Sequence, residues 1–258
     1  MSKVIVVAGM HRSGTSLVCQ QLAELGVRFN GDLLPPSKHN KRGYYENKKL
    51  ICFHDRLIKT HAKSWRDYRS LRSLNAGEVF DYEGAVSIAR ELRGGGGVVA
   101  LKDPRICFFL KQWVDVLGDC VVVAPVRDPS EVVDSLMRRG DLLREYRGKR
   151  LAAIHAGYSL WKMYNEACLA YLQAVPGSGF LVNSGAGFSV AALSSGLKDF
   201  GLVLPGSGND SESSSVLDES LVSTQPHRLV RFVRYLRPDV LRLYSAILGI
   251  CDRAAGGS

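Results

Sequence analysis

A parallel β-sheet covered by helices, of the α/β class, is predicted by three features of this sequence. Short continuous aliphatic runs recur at 4–8, 98–101 and 121–126; segments with helical spacing of apolar residues follow the strands; and Gly9 and Gly14 bracket the first strand-to-helix junction. Runs that are apolar on both faces suit strands buried between two helical layers. The 258 residues, 46% apolar and 23% charged, suffice for one domain over 1–258 with a packed core, and exclude disordered, collagenous and coiled-coil chains. No repeat of fixed period is present.

In chain order, 4–8 is the first strand, and Leu17, Val18, Leu22 and Leu25 define a helix over 15–25. Residues 98–101 and 121–126 are the second and third strands, followed by helices over 106–117 and 129–138. The glycine run 94–97 precedes a strand and opens no helix, so it reads as a connection, not a phosphate site. A long helix is expected over 151–174, a fourth strand over 180–183 beyond the Pro176-Gly177 break, and helix from 226 to 252, interrupted before Pro238. The glycine- and serine-rich tract 205–215 reads as a mobile loop.

A surplus of 34 basic over 25 acidic side chains, net +9, points to anionic partners: a nucleotide, a sulfated or phosphorylated metabolite, a nucleic acid or an acidic membrane. Six cysteines without a C-x-x-C pair suit a reduced, cytoplasmic protein. The N-terminal apolar run is far shorter than the about 18 residues of a membrane span and lacks a signal-peptide pattern, so neither export nor a span is expected.

The most informative stretch is Gly9-Met10-His11-Arg12-Ser13-Gly14-Thr15-Ser16. Backbone amides in such a turn, aligned with the positive end of a helix dipole, hold an anion, and Gly14 allows close backbone approach. Arg12, Thr15 and Ser16 add donors. A tight turn capped by Ser13 or Thr15 is the purely structural alternative. A Walker A loop would carry lysine where Thr15 stands, which argues against an ordinary ATPase or kinase. At the end of the third strand, Arg127 and, eight residues on, Ser135 are placed to meet one phosphate by charge-assisted and hydroxyl bonds.

The G-M-H-R-S-G-T-S turn resembles the phosphosulfate loop of sulfotransferases that use 3′-phosphoadenosine 5′-phosphosulfate (PAPS), and Arg127 with Ser135 is similar to that family's 3′-phosphate element. Arg42-Gly43-Tyr44-Tyr45-Glu46-Asn47 and Leu101-Lys102-Asp103-Pro104-Arg105 resemble segments of bacterial members that sulfate polysaccharides and other secondary products. The likeness covers about 3–138; at Asn183-Ser184-Gly185-Ala186 the acidic segment of relatives is missing. The resemblance implies a P-loop-like sulfotransferase fold, PAPS as donor with adenosine 3′,5′-bisphosphate as product, and no metal. It implies donor binding by Gly9, His11, Arg12, Ser13, Gly14, Thr15, Ser16, Arg127 and Ser135.

Sulfuryl transfer requires neutralisation of charge on the leaving phosphate, removal of the acceptor's proton, and in-line positioning. Arg12 and Lys102 are the candidate cations. Glu46 is the first candidate base, with His39, Asp103 and His11 as competitors; otherwise Glu46 is a first-turn glutamate of a helix starting near Asn47. The basic and aromatic loop 33–45 suits a hydroxylated acceptor on a carbohydrate, glycolipid or glycosylated natural product, whereas Trp65, Trp113 and Trp161 read as packing residues. Two other functions stay open. One is a P-loop-like nucleotide kinase using Asp103 or Asp128 for magnesium; the other is a basic nucleic-acid-binding protein using Arg138, Arg139, Arg144, Arg147, Lys149 and Arg150.

Overall fold

The computed structural model describes residues 3–37, 43–185, 188–202, 204 and 225–255. Four strands, β1 (Val4–Val7), β2 (Val99–Lys102), β3 (Cys120–Val126) and β4 (Gly179–Asn183), form one parallel sheet in the order β2-β1-β3-β4. The register places Val7 beside both Lys102 and Val123, and Val126 beside Asn183. All three apolar runs are strands, as their composition predicts. Pro125, which has no N–H to give, lies where β3 outruns β1 and has no paired strand residue on that side.

The helices are α1 (Thr15–Glu24), α2 (Lys48–Lys59), α3 (Tyr68–Leu71), α4 (Ala76–Val79), α5 (Tyr82–Leu92), α6 (Leu110–Leu117), α7 (Pro129–Arg138), α8 (Asp141–Glu145), α9 (Arg150–Ala174), α10 (Val190–Asp199), α11 (Arg228–Tyr235) and α12 (Pro238–Ala255). The sequence pattern anticipates α1, α7, α9 and the α11/α12 pair with its break before Pro238. It does not separate the start of α6: Pro104–Phe109 is a 3-10 turn, nucleated by Asp103 accepting from the Arg105 amide at 2.9 Å. The glycines at 94–97 do connect α5 to β2. The tract 205–215 lies outside the described residues.

Strand alternation splits the core between the two faces of the sheet. Val4, Val6, Leu101, Val122 and Ala124 pack with α2, α5, α6, α7 and α9, where Trp113 and Trp161 are fully buried. Ile5, Val7, Ala100, Val121 and Val123 pack with α1 and α10. The exposed edge of β2 is covered by the segment after α1, whose Arg28 exchanges backbone bonds with Val98 and Ala100. From β1 the chain crosses to β2 on one side and then to β3 on the other. The carboxyl ends of β1 and β3 therefore flank the point where strand order reverses, where open α/β sheets bind ligands.

Candidate anion-binding active site

Two segments meet at this reversal, the β1–α1 loop and the β3–α7 junction. Arg12 adopts φ 70° and Gly14 φ 81°, so the chain doubles back before α1. A Cβ at Gly14 would lie 2.6 Å from Ser184 Cβ, and one at Gly9 would lie 2.8 Å from the Pro125 carbonyl oxygen, so both glycines are demanded by space. Gly14 caps α1 with no side-chain hydrogen bond. The capping role available to Ser13 or Thr15 is therefore not taken: the Ser13 hydroxyl turns inward and donates to the Met10 carbonyl at 2.7 Å. With glycine at the cap position, the cap residue itself offers the amides at the start of α1 no side-chain acceptor, an arrangement that suits an anion.

Ser184, at the end of β4, closes this loop from behind. Its hydroxyl lies 2.5 Å from the Ser13 carbonyl and 2.9 Å from that of Val126, tying the loop to β3 and β4. The sequence gives no signal for this role beyond a serine after a strand.

Arg12 Nε donates to Ser135 Oγ at 2.9 Å, which joins the two motifs directly. Burial, and then the charges of Arg139 and Arg127, hold the Arg12 guanidinium below its usual pKa. Arg127 and Arg139 thus add to the positive field at Arg12. Arg127 also pairs with Glu131 at 2.5 Å, and Arg139 with Asp141 at 3.3 Å. The backbone carbonyl of Arg127 accepts from Trp161 Nε1 at 3.0 Å, so a core tryptophan fixes the strand end. Arg139 escapes a motif reading because only the turn after α7 brings it to Arg12.

Glu46 and Lys102 are both buried, 2.5 Å apart, and Lys102 also donates to the Tyr44 carbonyl at 3.1 Å. Lys102 stands beside Val7 at the carboxyl edge, two residues before Gly9 across the sheet. Asn47, not Glu46, caps α2 by accepting from the Lys49 and Leu50 amides, so Glu46 precedes the helix instead of occupying its first turn. Tyr45, at φ 57°, turns the chain immediately before it. Glu46 Oε1 takes the lysine; Oε2 has no partner among the described residues.

Asp103 is fully buried and engaged on both oxygens, by Arg105 at 2.8 and 3.0 Å and by His54 Nδ1 at 3.2 Å from Oδ2. Burial by itself would raise its pKa; the charge of Arg105, with the contact to His54, outweighs that and holds it well below the carboxylate range. His54 Nε2 in turn accepts from Trp113 Nε1 at 2.7 Å. This network anchors β2 to α2 and α6.

His11 stacks on Trp65, with ring centroids 3.8 Å apart, and its Nε2 is sealed from solvent without a hydrogen-bond partner among the described residues. Burial, then the charge of Arg105, depress its pKa well below the histidine norm despite the opposing charge of Asp103, so the ring is neutral at pH 7. His39 lies outside the described residues, as does Arg42.

In the basic run that begins at the end of α7, Arg138 pairs with Asp134 at 3.2 Å, Arg139 with Asp141 at 3.3 Å, and Arg144 bonds the carbonyls of Arg139 and Gly140. Asp128 caps α7 through the Ser130 and Glu131 amides and pairs with Arg234 at 3.0 Å, so both acids available to a kinase reading are engaged. Among the described residues, no group of three or more His, Cys, Asp or Glu side chains is arranged to hold a metal ion, and no helix is long and apolar enough to cross a membrane.

No protein-family model matches the chain, and no curated protein sequence does. Among solved structures, it is similar to the sulfotransferase domain from the Synechococcus PCC 7002 olefin synthase, at 17% identity and TM-score 0.43 over 71% of this chain and 66% of that one. It is also similar to the sulfotransferase domain from the curacin biosynthetic pathway, at 12% identity and TM-score 0.43 over 89% of this chain and 77% of that one. The chain thus spans just under two thirds of the first of these domains.

Proposed function

We propose that this chain is a single-domain cytoplasmic sulfotransferase that moves the sulfuryl group of PAPS to an acceptor hydroxyl on a carbohydrate, glycolipid or glycosylated natural product. The observation that carries the reading is the bond between Arg12 and Ser135: it unites a glycine-bounded loop at an uncapped helix start with a second arginine and serine pair, at the reversal of strand order. Such a site has donors for two separate anionic groups of one ligand. A cradle that excludes a Cβ at Gly9 and Gly14 and crowds Arg12 with Arg127 and Arg139 fits the doubly phosphorylated donor.

The donor supplies an activated sulfonate whose bond to phosphate breaks as the bond to the acceptor oxygen forms. Arg12, the loop amides and Thr15, with Ser16, hold the phosphosulfate end; Arg127 and Ser135 hold the 3′-phosphate. Lys102, at the same edge of the sheet, adds the cation needed on the leaving side. Glu46 accepts the acceptor's proton through Oε2 while Lys102 fixes Oε1, and the neutral Nε2 of His11 is the second candidate. Asp103, locked by Arg105 and His54, serves as a support.

The test is thermal stabilisation by adenosine 3′,5′-bisphosphate compared with ATP and magnesium. Selective stabilisation by the bisphosphate, reduced in Arg12→Ala and Arg127→Ala, is the expected result. Stabilisation by ATP with magnesium alone would replace this reading with a kinase, and stabilisation by neither would sink it.

A further inference from the structure

The outer face of α11 is not explained by the donor site. Its sequence, Arg228-Leu-Val-Arg-Phe-Val-Arg-Tyr235, places two opposed characters on one helix. Val230 and Val233 are buried, and Tyr158 donates to the Val230 carbonyl at 2.9 Å. Arg234 is tied to Asp128 and Ser130, and the His227 amide to Asp134, so the helix is fastened to α7. Arg228, Arg231, Phe232 and Tyr235 follow the i, i+3, i+4, i+7 spacing of the opposite stripe, which Leu236 extends.

That stripe should be polar if it only met water. Instead Phe232 is 60% exposed, Tyr235 73% and Leu236 58%, half of the large apolar residues exposed in the described chain. Arg228 and Arg231 have no ion-pair partner among the described residues. A second copy meeting this face across a two-fold axis would bring four arginines into one interface with no carboxylate on either stripe to neutralise them, and a neutral apolar groove would strip both guanidinium groups of water. What satisfies both characters is a layer with anionic groups outside and hydrocarbon beneath, into which the rings and Leu236 dip while the arginines stay at the phosphates.

We propose that the outer face of α11 docks the protein on an anionic phospholipid surface. The helix is rigidly held, so docking needs no refolding. The docked helix is packed against α7, the element that carries Ser135 and follows Arg127. The inference does not depend on which reaction the site performs.

Flotation of the whole chain with vesicles of phosphatidylcholine, with and without phosphatidylglycerol, tests it directly. The chain should float only with the anionic vesicles. Association should fall about tenfold in Phe232→Ser/Tyr235→Ser/Leu236→Ser, and about thirtyfold in Arg228→Glu/Arg231→Glu. All five side chains point outward, so both variants should melt like the parent by circular dichroism, which separates lost docking from lost fold. No flotation with anionic vesicles, equal flotation with neutral ones, or parental flotation of the apolar variant would overturn the proposal; the first result would instead favour an acidic protein groove as the occupant.

Discussion

Lys102 and Asp103 are neighbours in sequence but are put to different uses. Lys102 reaches Glu46 at the edge of the site, whereas Asp103 turns into the core and is saturated by Arg105 and His54. Asp103→Asn should therefore act on stability, costing about 3–5 kcal/mol because Arg105 is left with an incomplete partner. The folded state holds the Asp103 pKa below the ordinary aspartate value, so the unfolded chain takes up the proton first. The stability contributed is present above about pH 4 and is lost as pH falls toward the folded value. Urea unfolding across pH should show parent and variant converging in acid; a constant gap would contradict the assignment. His11 titrates in a different window. Its depressed pKa means that the unfolded state protonates first below about pH 6.5, so stability should decline as pH drops from there. His11→Phe keeps the stack on Trp65 and should flatten that decline in thermal melts from pH 7 to pH 5.

At the scale of elements, the β1–α1 junction depends on a conformation and a clearance together. Gly14 is left-handed and lies against Ser184, so Gly14→Ala meets both backbone strain of about 1–2 kcal/mol and a collision with the end of β4. The expected outcome is a lower melting temperature together with loss of stabilisation by adenosine 3′,5′-bisphosphate. A variant that melts lower but still responds to the nucleotide would show that the loop amides are not the anion cradle. The α7 helix is constrained in a complementary way: Asp128 caps its start, Trp161 holds the carbonyl of Arg127, and Ser135 in its last turns bonds Arg12.

For the whole molecule, the net charge of +9 includes two separate features, a cluster of Arg12, Arg127 and Arg139 and an outward stripe on α11. Salt should affect them unequally, since exposed charges are screened within about 10 Å at 0.1 M ionic strength and recessed ones much less. At a hundredfold excess over its dissociation constant, adenosine 3′,5′-bisphosphate should add about 2.7 kcal/mol. For a chain of this size that is about 5–10 °C in melting temperature. The shift should persist with added salt better than vesicle binding does.

Local pattern determined much of this protein. Aliphatic runs of four to six residues, too short for a helix and rich in β-branched side chains, suit buried strands, so β1, β2 and β3 were legible, as were α1, α7 and α9 from their spacing. The loop from Gly9 to Ser16 was legible because a tight strand-to-helix turn demands glycine at fixed places, here Gly9 and Gly14. The short helices α3, α4 and α8 were not, having too few turns to establish a period. Tertiary structure alone decided which partners met: that Arg12 would bond Ser135, 123 residues away, that Ser184 would brace the loop, and that Glu46 would be held by Lys102 while Asp103 was consumed by the core. Periodicity reports how a residue faces its own element, and contact between distant elements is set by strand order and packing, which no local window contains.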